Sequence, residues 1–250
     1  MPSKIFDNLK IEEVSSKENP YSSSFVFRHL PSGMGVTLGN FLRRIIPIST
    51  GGIASLGVKI IDKEGPVKVE VGEIKGLKET TPYLIINLKK IIVKEKKKKG
   101  GIFCLELKID NSKGKQEKII TAGDFQNDKE AEIENPELYL GTLAPSASLE
   151  LKLYFQKNLG YHEDDEQKKK YFPDDEEFIP FDTDYSSIKE NGGVNFQVNP
   201  VIISQDKSEE ELTVFITTKG TIKPKEVLNE TLGETQDLFK LITDSINKEK

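Results

Sequence analysis

The chain has 250 residues, 36% of them hydrophobic and 31% charged, with a net charge of −5. That length accommodates one large or two modest domains, and the sequence reads without a membrane-length apolar run or a charged-then-apolar leader. The acidic balance argues against a surface that grips DNA, because Lys and Arg on phosphates supply most such affinity. One cysteine, Cys104, excludes an internal disulfide and points to a reducing cytosol or organelle stroma.

In chain order, a strand over 24–30 is followed by Gly33-Met34-Gly35-Val36-Thr37-Leu38-Gly39-Asn40-Phe41-Leu42-Arg43-Arg44-Ile45-Ile46. Its apolar residues at 38, 41, 42, 45 and 46 draw one stripe down a helix over 36–48. Gly39 inside that helix costs about 1 kcal/mol relative to Ala unless a neighbour must come close. Arg43 and Arg44 point about 100° apart, so they cannot face one surface. Pro47 falls in the final turn and is expected to end or kink the helix.

A strand over 53–62 follows, and Val67, Val69 and Val71 continue the two-residue alternation of a half-buried strand. A short helix is expected over 81–88, with Thr81 as N-cap and Pro82 at the first helical position. The lysines at 96–99 precede Gly100-Gly101 and read as a solvated hairpin tip. Cys104 lies in a strand-like run and reads as an inert packing residue.

Leu149, Leu151, Leu153 and Phe155 alternate in a further strand, and 162–178 is a polar stretch with two acidic clusters around Lys168-Lys169-Lys170. That composition predicts a mobile, solvated loop. Val194, Phe196 and Val198 alternate, as do Leu212, Val214 and Ile216. The chain closes on a helix over 224–246, in which Leu228, Leu232, Thr235, Phe239, Ile242 and Ile246 form a heptad-like seam. Lys223 is a poor N-cap before Pro224, and Thr221 is the residue that compensates. Three heptads are too few to stand alone, so the seam calls for a partner helix: 36–48 of the same chain or of a twofold mate.

The reading is an α+β fold. The two ends, 1–53 and 183–250, build one discontinuous domain of two long helices on an antiparallel sheet, and 54–182 forms an inserted, mostly β domain. Independent catalysis finds little support. Carboxylates in a solvated loop lack the burial or charged neighbour that perturbs a catalytic pKa. His29 and His162 with one cysteine give no metal-ligand spacing, and neither a nucleophile elbow nor a phosphate loop is present. No catalytic, cofactor-binding or metal residue is assigned.

The string from Gly33 to Arg44, G-x-G-x-T-L-G-N-x-L-R-R, resembles the signature of the bacterial-type RNA polymerase α subunit, bacterial or plastid, in its amino-terminal domain. Four further segments are similar to the same family, in the same order. They are Gly76-Leu77-Lys78-Glu79 leading into Leu84-Ile85-Ile86-Asn87-Leu88-Lys89-Lys90; Gly160-Tyr161; Asp182-Thr183-Asp184-Tyr185-Ser186-Ser187-Ile188; and Lys219-Gly220-Thr221-Ile222-Lys223-Pro224-Lys225-Glu226.

The resemblance implies a subunit that dimerises through its first and last helices and scaffolds the catalytic β and β′ subunits, with the polymerase active site in those large subunits. It places Leu38, Phe41, Leu42, Ile45, Leu228, Leu232, Thr235, Phe239 and Ile242 at the dimer interface. It places Arg43, Arg44, Gly76, Lys78 and Glu79 toward β, with Arg44 facing outward and Arg43 at the rim. Lys89, Asp182, Tyr185 and Ser187 fall toward β′. Three departures stand out: the sequence stops soon after the last helix, which implies no carboxy-terminal DNA-binding domain and no direct specific DNA binding; Pro47 replaces the usual aliphatic residue; and Asn158-Leu159-Gly160-Tyr161 replaces a basic G-R-G-Y turn. A truncated α paralogue that pairs with another α-like chain as a regulator is the rival reading.

Overall fold

The computed structural model describes residues 7–68, 70–96, 101–126, 131–190, 192–204 and 207–248. The elements run β1 (Lys10–Ser15), β2 (Ser22–Pro31), α1 (Met34–Ser49), β3 (Gly52–Asp62), β4 (Gly65–Val67), α2 (Thr81–Leu88), β5 (Val93–Glu95) and β6 (Ile102–Asp110). They continue β7 (Lys118–Thr121), β8 (Ala131–Ile133), β9 (Tyr139–Leu143), β10 (Ser148–Asn158), β11 (Tyr161–His162) and α3 (Asp164–Tyr171). The last are β12 (Ile179–Pro180), β13 (Thr183–Asp184), β14 (Val194–Ser204), β15 (Lys207–Thr217) and α4 (Pro224–Lys248). The chain divides into two compact units, Met1–Gly51 with Ser186–Lys250, and Gly52–Tyr185.

The first unit is an antiparallel sheet in the order β1-β2-β15-β14. The alternating Leu212, Val214 and Ile216 of β15 are fully buried with Phe25 and Phe27 of β2, and Leu42 and Ile46 of α1 complete that core with Val227 and Leu228 of α4. Helix α1 lies on β14 through two glycine notches. A Cβ at Gly35 would come within 2.8 Å of Val198 Cγ1, and one at Gly39 within 2.4 Å of Phe196 Cδ2. Four helical residues rise about 6 Å and two strand residues about 6.6 Å, so Gly35 and Gly39 match Val198 and Phe196 in step. The close neighbour that justifies Gly39 is an aromatic ring.

Pro47 does not end α1, which continues to Ser49. The last turn is held by hydroxyls: Thr50 Oγ1 donates to the Ile46 carbonyl at 2.6 Å, and Ser49 Oγ to Thr231 Oγ1 of α4 at 2.9 Å. At the start of α4 the Lys223 N–H is met by Glu226 Oε2 at 3.4 Å, so Glu226 rather than Thr221 compensates for the poor cap.

The second unit is built on the sheet β12-β3-β10-β6, with β4 paired to β3. Leu149, Leu151, Leu153 and Phe155 of β10 all point into its core, as their alternation requires. Three expectations change. The alternation at 67–71 yields a strand only to Val67; Val71 is 87% exposed, and Val69 lies outside the described residues. The strands flanking the lysine run do not pair with each other, since β5 pairs with β8 and β6 with β10; residues 97–99 lie outside the described residues. Helix α2 forms as expected, but Thr80 is its N-cap, and the Thr81 hydroxyl donates to the Gly72 carbonyl instead.

The largest correction is 162–178. It holds β11 and helix α3, with Phe178 buried at its end. Asp164, Asp165 and Glu166 occupy the first turn of α3 and Lys168, Lys169 and Lys170 the last, which is the charge order a helix dipole favours. Phe172 and Phe178 stack at 4.1 Å and meet the ring of Tyr154 edge-on at 5.0 and 5.6 Å.

Candidate interaction surfaces

Burial divides the last helix into two halves. Val227, Leu228, Thr231 and Thr235 are buried, whereas Phe239 is 56%, Ile242 45% and Ile246 66% exposed, beside the exposed Leu238 and Leu241. Leu232, expected in the inward seam, is 40% exposed, and Thr231 takes the inward position. The Thr235 hydroxyl satisfies itself on the Thr231 carbonyl at 2.7 Å. Phe239 stacks on Phe41 of α1 with ring centroids 6.5 Å apart. Leu38, Phe41 and Ile45 are half-buried, while Leu42 and Leu228 are sealed in their own unit's core and lie beneath any surface offered outward.

Both arginines of α1 are exposed, in different directions. Arg43 continues the line of Gly35 and Gly39: its guanidinium lies over the Phe196 ring at 5.5 Å and donates to Asn40 Oδ1 at 3.2 Å. Arg44 makes no hydrogen bond or ion pair with the described residues.

In the second unit, Gly76 has φ +85°, and a Cβ there would strike the Ala147 Cβ at 2.3 Å, so its role is to let two loops meet. Lys78 is exposed and pairs with Glu117 at 2.8 Å. Glu79 is committed to its own chain: Oε2 accepts from the Thr142 N–H at 2.7 Å, and Oε1 accepts from the Tyr139 hydroxyl. Burial, then that carboxylate, raises the pKa of Tyr139 and keeps it a donor.

Of the four residues expected toward β′, two face out and two face in. Lys89 and Asp182 are exposed. Both act on Glu70, whose carboxyl is held above its ordinary value by burial first and then by Asp164 and Asp182, with the Lys89 ammonium offsetting part of the shift. Sequence reasoning missed Glu70 and Asp164 in this patch because nothing in their spacing links residues so far apart.

Tyr185 and Ser187 do not present a surface. Tyr185 is 1% exposed and donates to Gln167 Oε1 of α3 at 2.6 Å; Ser187, equally buried, donates to the Gly51 carbonyl at 2.7 Å. Gln167 Nε2 in turn donates to the Phe181 carbonyl at 2.7 Å, so Tyr185 and Gln167 together hold α3 down. Burial is the main reason the Tyr185 phenol is pushed far above its usual range.

Among the described residues no His, Cys, Asp and Glu group is arranged to hold a metal ion, and no helix is long and apolar enough to cross a membrane. Residues 58–186 match the family model described as the RNA polymerase Rpb3/RpoA insert domain. The DNA-directed RNA polymerase subunit alpha of Oceanobacillus iheyensis is 32% identical over 240 residues, covering 95% of this chain and 68% of that protein. That of Desulforamulus reducens is 33% identical over 244 residues, covering 95% of this chain and 71% of the relative. The chain belongs to the RNA polymerase α-subunit family. The α-subunit match spans both units, so the open half of α4, the α1 arginines and the Lys89 patch all fall within the part shared with these relatives.

Proposed function

We propose that this chain is a non-catalytic assembly subunit of DNA-directed RNA polymerase that pairs with a second copy and scaffolds the catalytic β and β′ subunits. The observation that carries the pairing is the open apolar half of α4. Five large apolar side chains, Leu238, Phe239, Leu241, Ile242 and Ile246, stand in water on one helix of an otherwise well-packed unit. A twofold mate presenting the same face covers them with matching chemistry. In this reading Leu38, Phe41, Ile45, Leu232, Phe239 and Ile242 meet the mate, with Leu42, Leu228 and Thr235 packed behind them.

Arg44, exposed and uncommitted, is the residue for a bidentate contact with β, and Lys78 adds to that contact. Arg43 is a rim residue spent on Phe196, while Gly76 and Glu79 shape their loop. Toward β′ the contact residues are Lys89 and Asp182, with Tyr185 and Ser187 holding the segment from below. Purification through a tag on this chain, with its genomic partners co-expressed, tests the reading. Recovery of two copies with one β and one β′ supports it; recovery of only another α-like chain favours a dimerising regulator and overturns it.

A further inference from the structure

Helix α1 begins without a cap of its own. Its N-cap is Gly33, in the left-handed region at φ 83°, with no side-chain cap and no acidic residue in the first turn. The missing anion comes from β15. Glu210 Oε1 accepts the Gly33 N–H at 2.8 Å and Glu210 Oε2 the Gly35 N–H at 2.7 Å.

The strand explains why this one carboxylate arrives. Glu210 continues the inward alternation of Leu212, Val214 and Ile216, so it points to the face on which α1 lies. A register shift sets the reach: between Glu210 and Leu212 the partner strand runs from Leu30 to Phe27, with His29 at φ 65°. The flanking glutamates are spent elsewhere, Glu209 on His29 at 2.7 Å and Glu211 on Arg28 at 3.1 Å. Both glycines of the G-x-G motif are needed: Gly33 for its φ, and Gly35 because a Cβ there would sit 2.8 Å from Glu210 Oε2.

We infer that Glu210 is the positioning residue for α1, clamping the helix start to the β14–β15 hairpin and so fixing where Arg43 and Arg44 are presented. Its consequence for assembly rests on α1 being a contact helix, as proposed above; the clamp itself does not. A side-chain carboxylate on two helix-terminal N–H groups makes charge-assisted bonds and answers the positive end of the helix dipole.

Selective 15N-glycine labelling of the full chain reads the clamp directly. Glu210→Ala is expected to shift the Gly33 and Gly35 amide signals and to speed their exchange by about tenfold or more, the equivalent of one charge-assisted hydrogen bond. Glu210→Gln, which keeps the shape and one acceptor, is expected to fall between Ala and wild type, and it serves if the Ala variant does not fold. Glu211→Ala, an equal change of charge next door, leaves both signals in place. Unmoved glycine signals in Glu210→Ala, or equal movement in Glu211→Ala, overturn the clamp. In the tagged purification, Glu210→Ala is expected to recover β several-fold less than Glu211→Ala. Equal recovery from both overturns the positioning role, whereas a wild-type chain that recovers no β rejects the assembly reading and leaves the glycine signals to decide the clamp.

Discussion

Helices α3 and α4 invert what their compositions promise. Helix α3 is Asp-Asp-Glu-Gln-Lys-Lys-Lys-Tyr, without an aliphatic residue, yet its single buried side chain, Gln167, is tied to Tyr185 and the Phe181 carbonyl. Helix α4 has a heptad-like apolar seam, yet beyond Thr235 its described side chains are exposed. A polar helix is held down by what precedes and follows it, here the Phe172–Phe178 stack and the Tyr185 phenol. An apolar helix stays open when its own chain runs out of surface to meet it. Apolar content shows how much surface a segment needs to bury; it does not say whose surface does the covering.

The largest effect is expected at the open half of α4. Phe239→Asp with Ile242→Asp should weaken self-association by about 100-fold or more, since each change puts an unpaired charge into a covered apolar patch. Urea unfolding of the isolated chain should barely change, because both side chains are already in water there. Sedimentation that finds an unaltered dimer breaks the contrast with α3; a collapsed urea midpoint shows that the half is not open.

The next effect is at the strand that receives the α3 segment. A Cβ at Gly57 of β3 would meet Phe178 Cζ at 2.2 Å and the Ile179 carbonyl at 2.6 Å. Gly57→Ala is therefore expected to cost about 2–3 kcal/mol and to make 172–181 protease-sensitive. A substitution that changes neither the unfolding midpoint nor the cleavage pattern means the segment is not seated as described.

The smallest effect sharpens the comparison at one bond. Tyr185→Phe strands the buried Gln167 Oε1 and is expected to cost about 1–2 kcal/mol. Burial raises the Tyr185 pKa above that of the unfolded chain, so its stabilising contribution is complete below the unfolded value of about 10 and is lost as pH rises beyond it. Wild type should lose stability between pH 9 and about 11 more steeply than Tyr185→Phe. Parallel slopes for the two would show that Tyr185 is not the group responsible.

Strand alternation was legible at β10 and β15 because a half-buried strand repeats every two residues and both cores are continuous. The stripe of α1 was legible for the same kind of reason, and its glycines announced a close neighbour without saying which. The acidic segment was misread because its helix signal lies in the order of its charges, acids first and lysines last, and because its anchors, Phe172, Phe178 and Tyr185, are distributed along the chain rather than periodic. The surface residues were legible only as motif members. That Arg44 is exposed while Tyr185 and Ser187 point inward depends on neighbours far away in sequence.

By itself, the sequence determined the periodic elements, the family motif and the α+β character, since each is written in local spacing. Tertiary structure alone decided which half of α4 is covered, that Pro47 is carried through by Ser49 and Thr50, and that Glu210 caps a helix about 175 residues away. A periodic pattern is a property of neighbours along the chain, whereas a cap, a clamp or an exposed face depends on which distant group arrives within about 3 Å.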